Sequence, residues 1–246
     1  MTKAAAISPL APAIAARDLG RRFGGRWALA HIDLAVARGE VLLVAGPNGS
    51  GKSTLLSLFA GLIPPTLGTL ELATTNCVLQ SQARSHPSAR IAWRRGVALL
   101  SHAVYLYELL TARETIRLWA NLLGRSSSPS EIARRLEEVG LEDDADRAVG
   151  GFSAGMQKRL AFARVRLIDA PVVLLDEPFS ALDLSGTQMV SRWIAADREA
   201  GKTVVLTSHD LERAAPVANR ALLLSRGQQV WEGAAEELPQ ALEAAS

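Results

Sequence analysis

Short apolar runs punctuate this chain, and each stops abruptly at polar residues. Val41–Ala45 reads VLLVA and ends at Gly46. Val172–Leu175 reads VVLL and ends at Asp176. Thr203–Thr207 reads TVVLT and ends at Ser208 and His209. Runs of this length, partly β-branched and without polar alternation, are the pattern of strands covered on both faces. A glycine-rich stretch follows the first run, and Ser53–Leu62 then reads as a helix. The pattern predicts an α/β fold whose chemistry gathers at the carboxyl ends of the strands.

The period changes in the middle of the chain. Thr111-Ala-Arg-Glu114 has the form of a capping box, in which hydroxyl and carboxylate satisfy each other's backbone amides. Ile116, Trp119, Ala120 and Leu123 then fall on one helical face, and Gly124 is placed to stop the helix. Ser128-Pro129-Ser130-Glu131 repeats the box with proline at the first helical position, and Ile132, Leu136 and Val139 continue the apolar stripe. An all-helical subdomain inserted into the α/β core is expected, its helices running from Thr111 to about Ala148. With its flanks it spans about residues 103–155 of a single domain covering 14–246, preceded by a flexible tail over 1–13.

Composition narrows the classes. The formal net charge of +2 across 246 residues lacks the basic excess of a protein that lives on nucleic acid, so no nucleic-acid partner is expected. Cys77 is the only cysteine, which excludes an intrachain disulfide and a cysteine-built metal site. No stretch approaches the roughly 18 apolar residues that cross a bilayer. The Ala-rich start is broken by Pro9 and Pro12 and followed by Arg17 and Asp18, so it reads as a tail and not a signal peptide.

The candidate chemistry sits where the apolar runs end. Gly46, Pro47, Asn48, Gly49, Ser50, Gly51, Lys52, Ser53 and Thr54 form the pattern G-x-x-x-x-G-K-[ST]. Glycines in such a loop let consecutive N–H groups turn inward, and the following helix directs its positive end at the same place. Lys52 adds a full charge for the β- and γ-phosphates of a nucleotide. The Ser53 hydroxyl is suited to Mg²⁺, and Thr54 to the α-phosphate region. Asp176 can hold the hydration shell of the same metal. Glu177 is the candidate general base toward an attacking water. His209, at the end of the third run, either packs structurally or hydrogen-bonds the γ-phosphate. Gly151-Phe-Ser153-Ala-Gly155 also fits a serine-hydrolase elbow, with Ser153, Asp176 and His209 in esterase order. What precedes it, Glu142–Val149, is polar and not strand-like, and that reading leaves the phosphate loop without a purpose.

Together these segments resemble the nucleotide-binding subunits of ABC transporters from about Ile14 to Gly233. Phe152-Ser153-Ala154-Gly155-Met156 looks like a variant of the family's signature, Ser180-Ala-Leu-Asp183 like its D-loop, and His209 like its switch histidine. The resemblance implies a RecA-like P-loop core sheet with an antiparallel β region and the inserted helices. It implies ATP and Mg²⁺ as ligands, with Ser53, Asp176 and His102 around the metal. It further implies a homodimer or pseudo-dimer in which the partner's Ser153, Ala154, Gly155 and Met156 close on the nucleotide. Phe23 stands where the family stacks an aromatic ring on adenine, with core packing as the alternative.

The expected activity is ATP hydrolysis coupled to export through a separate integral membrane subunit, at the cytoplasmic face of the membrane. Ala154 and Met156 replace the usual glycine and glutamine, and His102 stands at the Q-loop position in place of glutamine. Ser101-His102, the stretch Leu106–Glu114, the signature variant and Ser208–Arg213 look most like the haem-exporter ATPases of cytochrome c maturation. The alternatives are an exporter ATPase for another cargo or a soluble ABC-type ATPase acting on ribosome or DNA. Tyr105, Leu106 and Tyr107 either line the groove that receives the membrane subunit or pack internally.

Overall fold

The computed structural model describes residues 12–73, 78–80 and 87–244; most of the amino-terminal tail and Cys77 lie outside the described residues. Two sheets organise the chain. The first is antiparallel, with β1 (Ile14–Phe23) between β2 (Arg26–Val36) and β4 (Leu67–Ala73), and β5 (Val78–Gln80) on the outer edge of β4. Ala13 is already buried and donates its amide to Val36.

The second sheet holds the apolar runs. Its order is β10 (Gln228–Ala234), β9 (Arg220–Ser225), β3 (Val41–Ala45), β8 (Thr203–Thr207), β7 (Val172–Asp176) and β6 (Val97–Leu100). All neighbours are parallel except the hairpin of β9 and β10. Alternate residues of the same strands enter different cores. Leu43, Leu175 and Leu206 join the helices on one face. Leu42, Val44, Leu174 and Val205 pack on the other with α1 (Lys52–Phe59) and the antiparallel sheet. Burial on both faces is why these strands carry no polar alternation. Helix α1 stops three residues before the expected Leu62, because Ala60 caps it and Gly61 turns left-handed at φ 70°. Trp93 of α2 (Pro87–Arg95) is buried, and its indole N–H donates to the Phe59 carbonyl at 2.9 Å.

The inserted region is helical, with α3 (Ala112–Leu122) and α4 (Pro129–Glu137). The Thr111 capping box forms in both directions. The second box closes only half. Ser128 accepts from the Glu131 amide, but the Glu131 carboxylate pairs with Arg134 and Arg135 instead of reaching back. Ile116, Ala120, Ile132, Leu136 and Val139 are buried, whereas Leu123 ends α3 partly exposed. Backbone pairing between Glu108–Arg113 and Ala145–Gly150 zips the neck of the insertion.

The chain then returns to the core through α5 (Ala154–Ile168), the longest helix of that layer after α6 (Leu184–Glu199). The short α7 (Leu211–Ala214) follows β8, and α8 (Leu238–Ala244) closes the described chain. Among the described residues no helix is long and apolar enough to cross a membrane.

Candidate functional site

The loop between β3 and α1 is held in a shape that only glycine permits at its two ends. Gly46 has φ 138°, and a Cβ there would lie 2.2 Å from the Leu224 carbonyl oxygen. Gly51 has φ 108°, and a Cβ there would lie 2.6 Å from Leu29 Cδ2. The loop ends on Lys52, the first residue of α1, whose side chain is buried. Its ammonium donates to the carbonyls of Gly46 at 2.7 Å and Pro47 at 3.1 Å. No carboxylate lies within ion-pair distance of it among the described residues. Burial pulls its pKa below the usual lysine value, opposed by the charges of Glu177 and Asp176. A desolvated cation without an anion, at the amino end of a helix, fits an anionic ligand.

Strands β7 and β8 build the acidic side. Thr207 Oγ1 donates to Asp176 Oδ1 at 2.6 Å and accepts from the Glu177 amide at 3.0 Å. Glu177 sits in the left-handed region at φ 50°. Its Oε2 accepts from the His209 amide at 3.3 Å and lies 2.9 Å from His209 Nδ1. His209 therefore meets Glu177 in this chain, and its exposed ring also lines the cleft.

One cleft of about 700 Å³ collects most of the residues expected from the sequence. Gly46, Pro47, Asn48, Gly49, Gly51, Lys52, Ser53, Thr54, His102, Asp176, Glu177 and His209 all line it. Ser50 instead lines an adjoining cavity of about 650 Å³, together with Phe23, Arg26, Trp27 and Arg226. Phe23 is exposed, which removes the core-packing alternative. The Arg21 guanidinium covers one face of its ring at 4.6 Å. Among the described residues no group of three or more His, Cys, Asp or Glu side chains is arranged to hold a metal by itself. The donors present, one serine hydroxyl and one carboxylate, fit Mg²⁺, which takes few protein ligands and completes its shell from phosphates and water.

The signature segment forms the start of α5. Ser153 is its N-cap, accepting from the Met156 amide at 3.2 Å. It follows a 3-10 turn over Val149–Gly151 and has φ −65°, so it has neither the strand nor the strain of a hydrolase elbow. Ala154 is exposed and its methyl is accommodated. At Gly155 a Cβ would lie 2.8 Å from the Ala181 carbonyl oxygen, so the surviving glycine is the one packed against the D-loop. Ser180 Oγ donates to the Glu177 carbonyl, and Asp183 caps α6 through the Gly186 amide.

Several residues at the site escaped sequence reading. Thr207 looked like the last β-branched residue of a strand. Lys158 is buried, with Nζ 3.4 Å from the Asp176 carbonyl oxygen. Burial lowers its pKa, while Asp176 and Glu177 oppose the shift. Arg159 donates to Asp183 and Ser185, tying the signature helix to the D-loop. A lysine and an arginine within a polar helix stretch carry no signal that they face inward.

The expected groove residues separate. Tyr105 and Tyr107 are 75% and 60% exposed, and Leu109, not singled out from sequence, is 95% exposed. Leu106 turns in against the core cluster, which corrects the expectation that it lines the same surface as the two tyrosines. Tyr105 is left-handed at φ 45°, and its carbonyl accepts from buried Arg164 at 3.3 Å.

A phosphate loop, a braced acidic pair and an inserted helical layer define an ATP-binding cassette. Residues 29–180 match the profile of the ABC transporter family, and the chain belongs to that family as an ATP-binding subunit. It is 37% identical over 196 residues to the cytochrome c biogenesis ATP-binding export protein CcmA of Pseudomonas putida, covering 80% of this chain and 89% of that one. It is 36% identical over 209 residues to the thiamine import ATP-binding protein ThiQ of Salmonella choleraesuis, covering 83% and 84%. The dimeric post-hydrolysis structure of the cassette MJ0796, bound to ADP and Pi, superposes with a TM-score of 0.77 at 27% identity, covering 90% of this chain and 98% of that one.

Proposed function

We propose that residues 14–246 form one nucleotide-binding domain that hydrolyses magnesium-bound ATP to drive a membrane-spanning partner. The observation that carries this reading is the shared cleft, where the unpaired ammonium of Lys52 and the carboxylate of Glu177 face the same space. Lys52 and the backbone amides of the loop bind the β- and γ-phosphates, and Thr54 serves the α-phosphate. Phe23 offers its free ring face to the base, and Arg21 holds the other face. Glu177 takes the proton of the attacking water, its carboxylate oriented by His209. Ser53 and Asp176 would hold magnesium, with His102 facing its water shell in the same cleft, and the ion would neutralise phosphate charge and align the phosphates. Steady-state phosphate release should be saturable in ATP and fall more than about tenfold when a chelator removes the metal. Turnover unaffected by chelation would overturn the metal assignment.

Two copies are proposed to close head to tail, so that Ser153, Ala154, Gly155 and Met156 of one cover the phosphates held by the other. Support comes from Ser153 capping α5 with its amino end at the surface, and from the dimer formed by MJ0796. The segment carrying Tyr105, Tyr107 and Leu109 is proposed to receive the membrane partner at the groove beside the helical subdomain. Its large apolar side chains are exposed, yet pinned from behind by Arg164. Replacing Tyr105 and Tyr107 together by alanine should leave basal hydrolysis within about twofold and abolish its stimulation by the membrane subunit. Unchanged stimulation would remove the assignment.

Haem export for cytochrome c biogenesis is the favoured cargo reading, supported by the likeness to CcmA. The nearly equal likeness to ThiQ supports a second reading, another transported cargo. Co-purification of the membrane subunits separates them.

A further inference from the structure

Thr207 reaches neither solvent nor the cleft, yet it touches both acidic residues that the proposed hydrolysis uses. It is fully buried at the carboxyl end of β8, after Val204, Val205 and Leu206, which are fully buried as well. A hydroxyl in such surroundings is unfavourable unless both its donor and its acceptor functions are met. Here both are, and by adjacent residues of the neighbouring strand: the O–H donates to Asp176 Oδ1 and the oxygen accepts from the Glu177 amide. Valine has nearly the same shape and would suit the apolar run better, so packing does not explain the hydroxyl.

The bond to Glu177 falls where the backbone needs holding. Glu177 leaves β7 in a left-handed conformation, which is strained for a residue with a Cβ. Its amide then points at β8, where Thr207 receives it. Two residues further along, His209 meets the Glu177 carboxylate through its amide and its ring. The end of β8 thus fixes Glu177 at both ends, and it fixes Asp176 with the same hydroxyl.

We propose that Thr207 is a positioning residue for ATP hydrolysis, orienting the Asp176 carboxylate and the left-handed backbone that aims Glu177 into the cleft. The proposal rests on the roles given above to Asp176 and Glu177. It predicts a loss in turnover without a matching loss in nucleotide affinity, because the Lys52 ammonium bonds the Gly46 and Pro47 carbonyls whereas the Thr207 hydroxyl bonds Asp176 and Glu177.

The test compares Thr207→Val, which keeps the shape and removes the hydroxyl, with Thr207→Ser, which keeps the hydroxyl and removes the methyl. Thr207→Val should lower kcat at least about tenfold while the affinity for ATP, measured by titration without metal, stays within about threefold. Thr207→Ser should keep kcat within about threefold of the parent. If the valine variant does not fold, Thr207→Ala against Thr207→Ser asks the same question in a smaller volume. Parent-like kcat in the variants lacking the hydroxyl would overturn the proposal, as would a serine variant as impaired as they are. Undiminished turnover in Glu177→Gln would instead strike at the assigned base, so the two failures are distinguishable.

Discussion

Glu177→Gln is expected to lower steady-state ATP turnover by a factor of about 10² to 10⁴, the usual contribution of a general base. The side chain is nearly buried, and its Oε2 is engaged by both the amide and the ring of His209. Glutamine has the same outline, and its carbonyl oxygen can still accept from the His209 amide. What it cannot do is take a proton from water. Binding through Lys52 is untouched, so the variant should hold ATP and accumulate as the closed dimer, read as an ATP-dependent shift in size-exclusion chromatography. Turnover like that of the parent would show that another group serves as the base.

Lys52→Ala should weaken nucleotide binding by about 100-fold or more, the equivalent of about 2.8 kcal/mol at 1.4 kcal/mol per tenfold. Hydrogen bonds to charged groups contribute about 1.5–3 kcal/mol, and among the described residues Lys52 is the one lysine lining the cleft. The fold should survive, since among the described residues Lys52 Nζ bonds only the carbonyls of Gly46 and Pro47, which border an open cleft where water can replace it. An equilibrium titration with a fluorescent nucleotide, alongside a thermal melt, separates lost binding from lost folding. Binding that persists in a folded alanine variant would contradict the assignment.

Much of this was legible in the residue order, because the strongest signals are local. A strand buried on both faces is written as VLLVA or VVLL, and a loop that must turn inward on a phosphate is written in glycines. The complete capping box at Thr111 and Glu114 was readable for the same reason: its two hydrogen bonds join residues three apart. Ser128 and Glu131 show the limit of that logic. The spacing is the same, but Arg134 and Arg135 lie one turn further and compete for the carboxylate.

The parts that were not legible depend on contacts between distant segments. Thr207 acquires its importance only because β8 pairs with β7, which brings it beside Asp176. Val104 and Leu106 pack on the core while Tyr105 and Tyr107 face outward, an alternation that no apolar–polar contrast in the residue order announces. Gly155 rather than position 154 is the glycine that packing requires, because Ala181, 26 positions away in the chain, presses its carbonyl there. His102 and His209 reach one cleft from the ends of different strands, which residue spacing alone does not encode.

The most direct measurement is isothermal titration calorimetry of the purified chain with ATP in the presence of magnesium. Saturable heat that disappears in Lys52→Ala is the predicted result. A folded parent protein that takes up neither ATP nor any other purine triphosphate would contradict the account at its root.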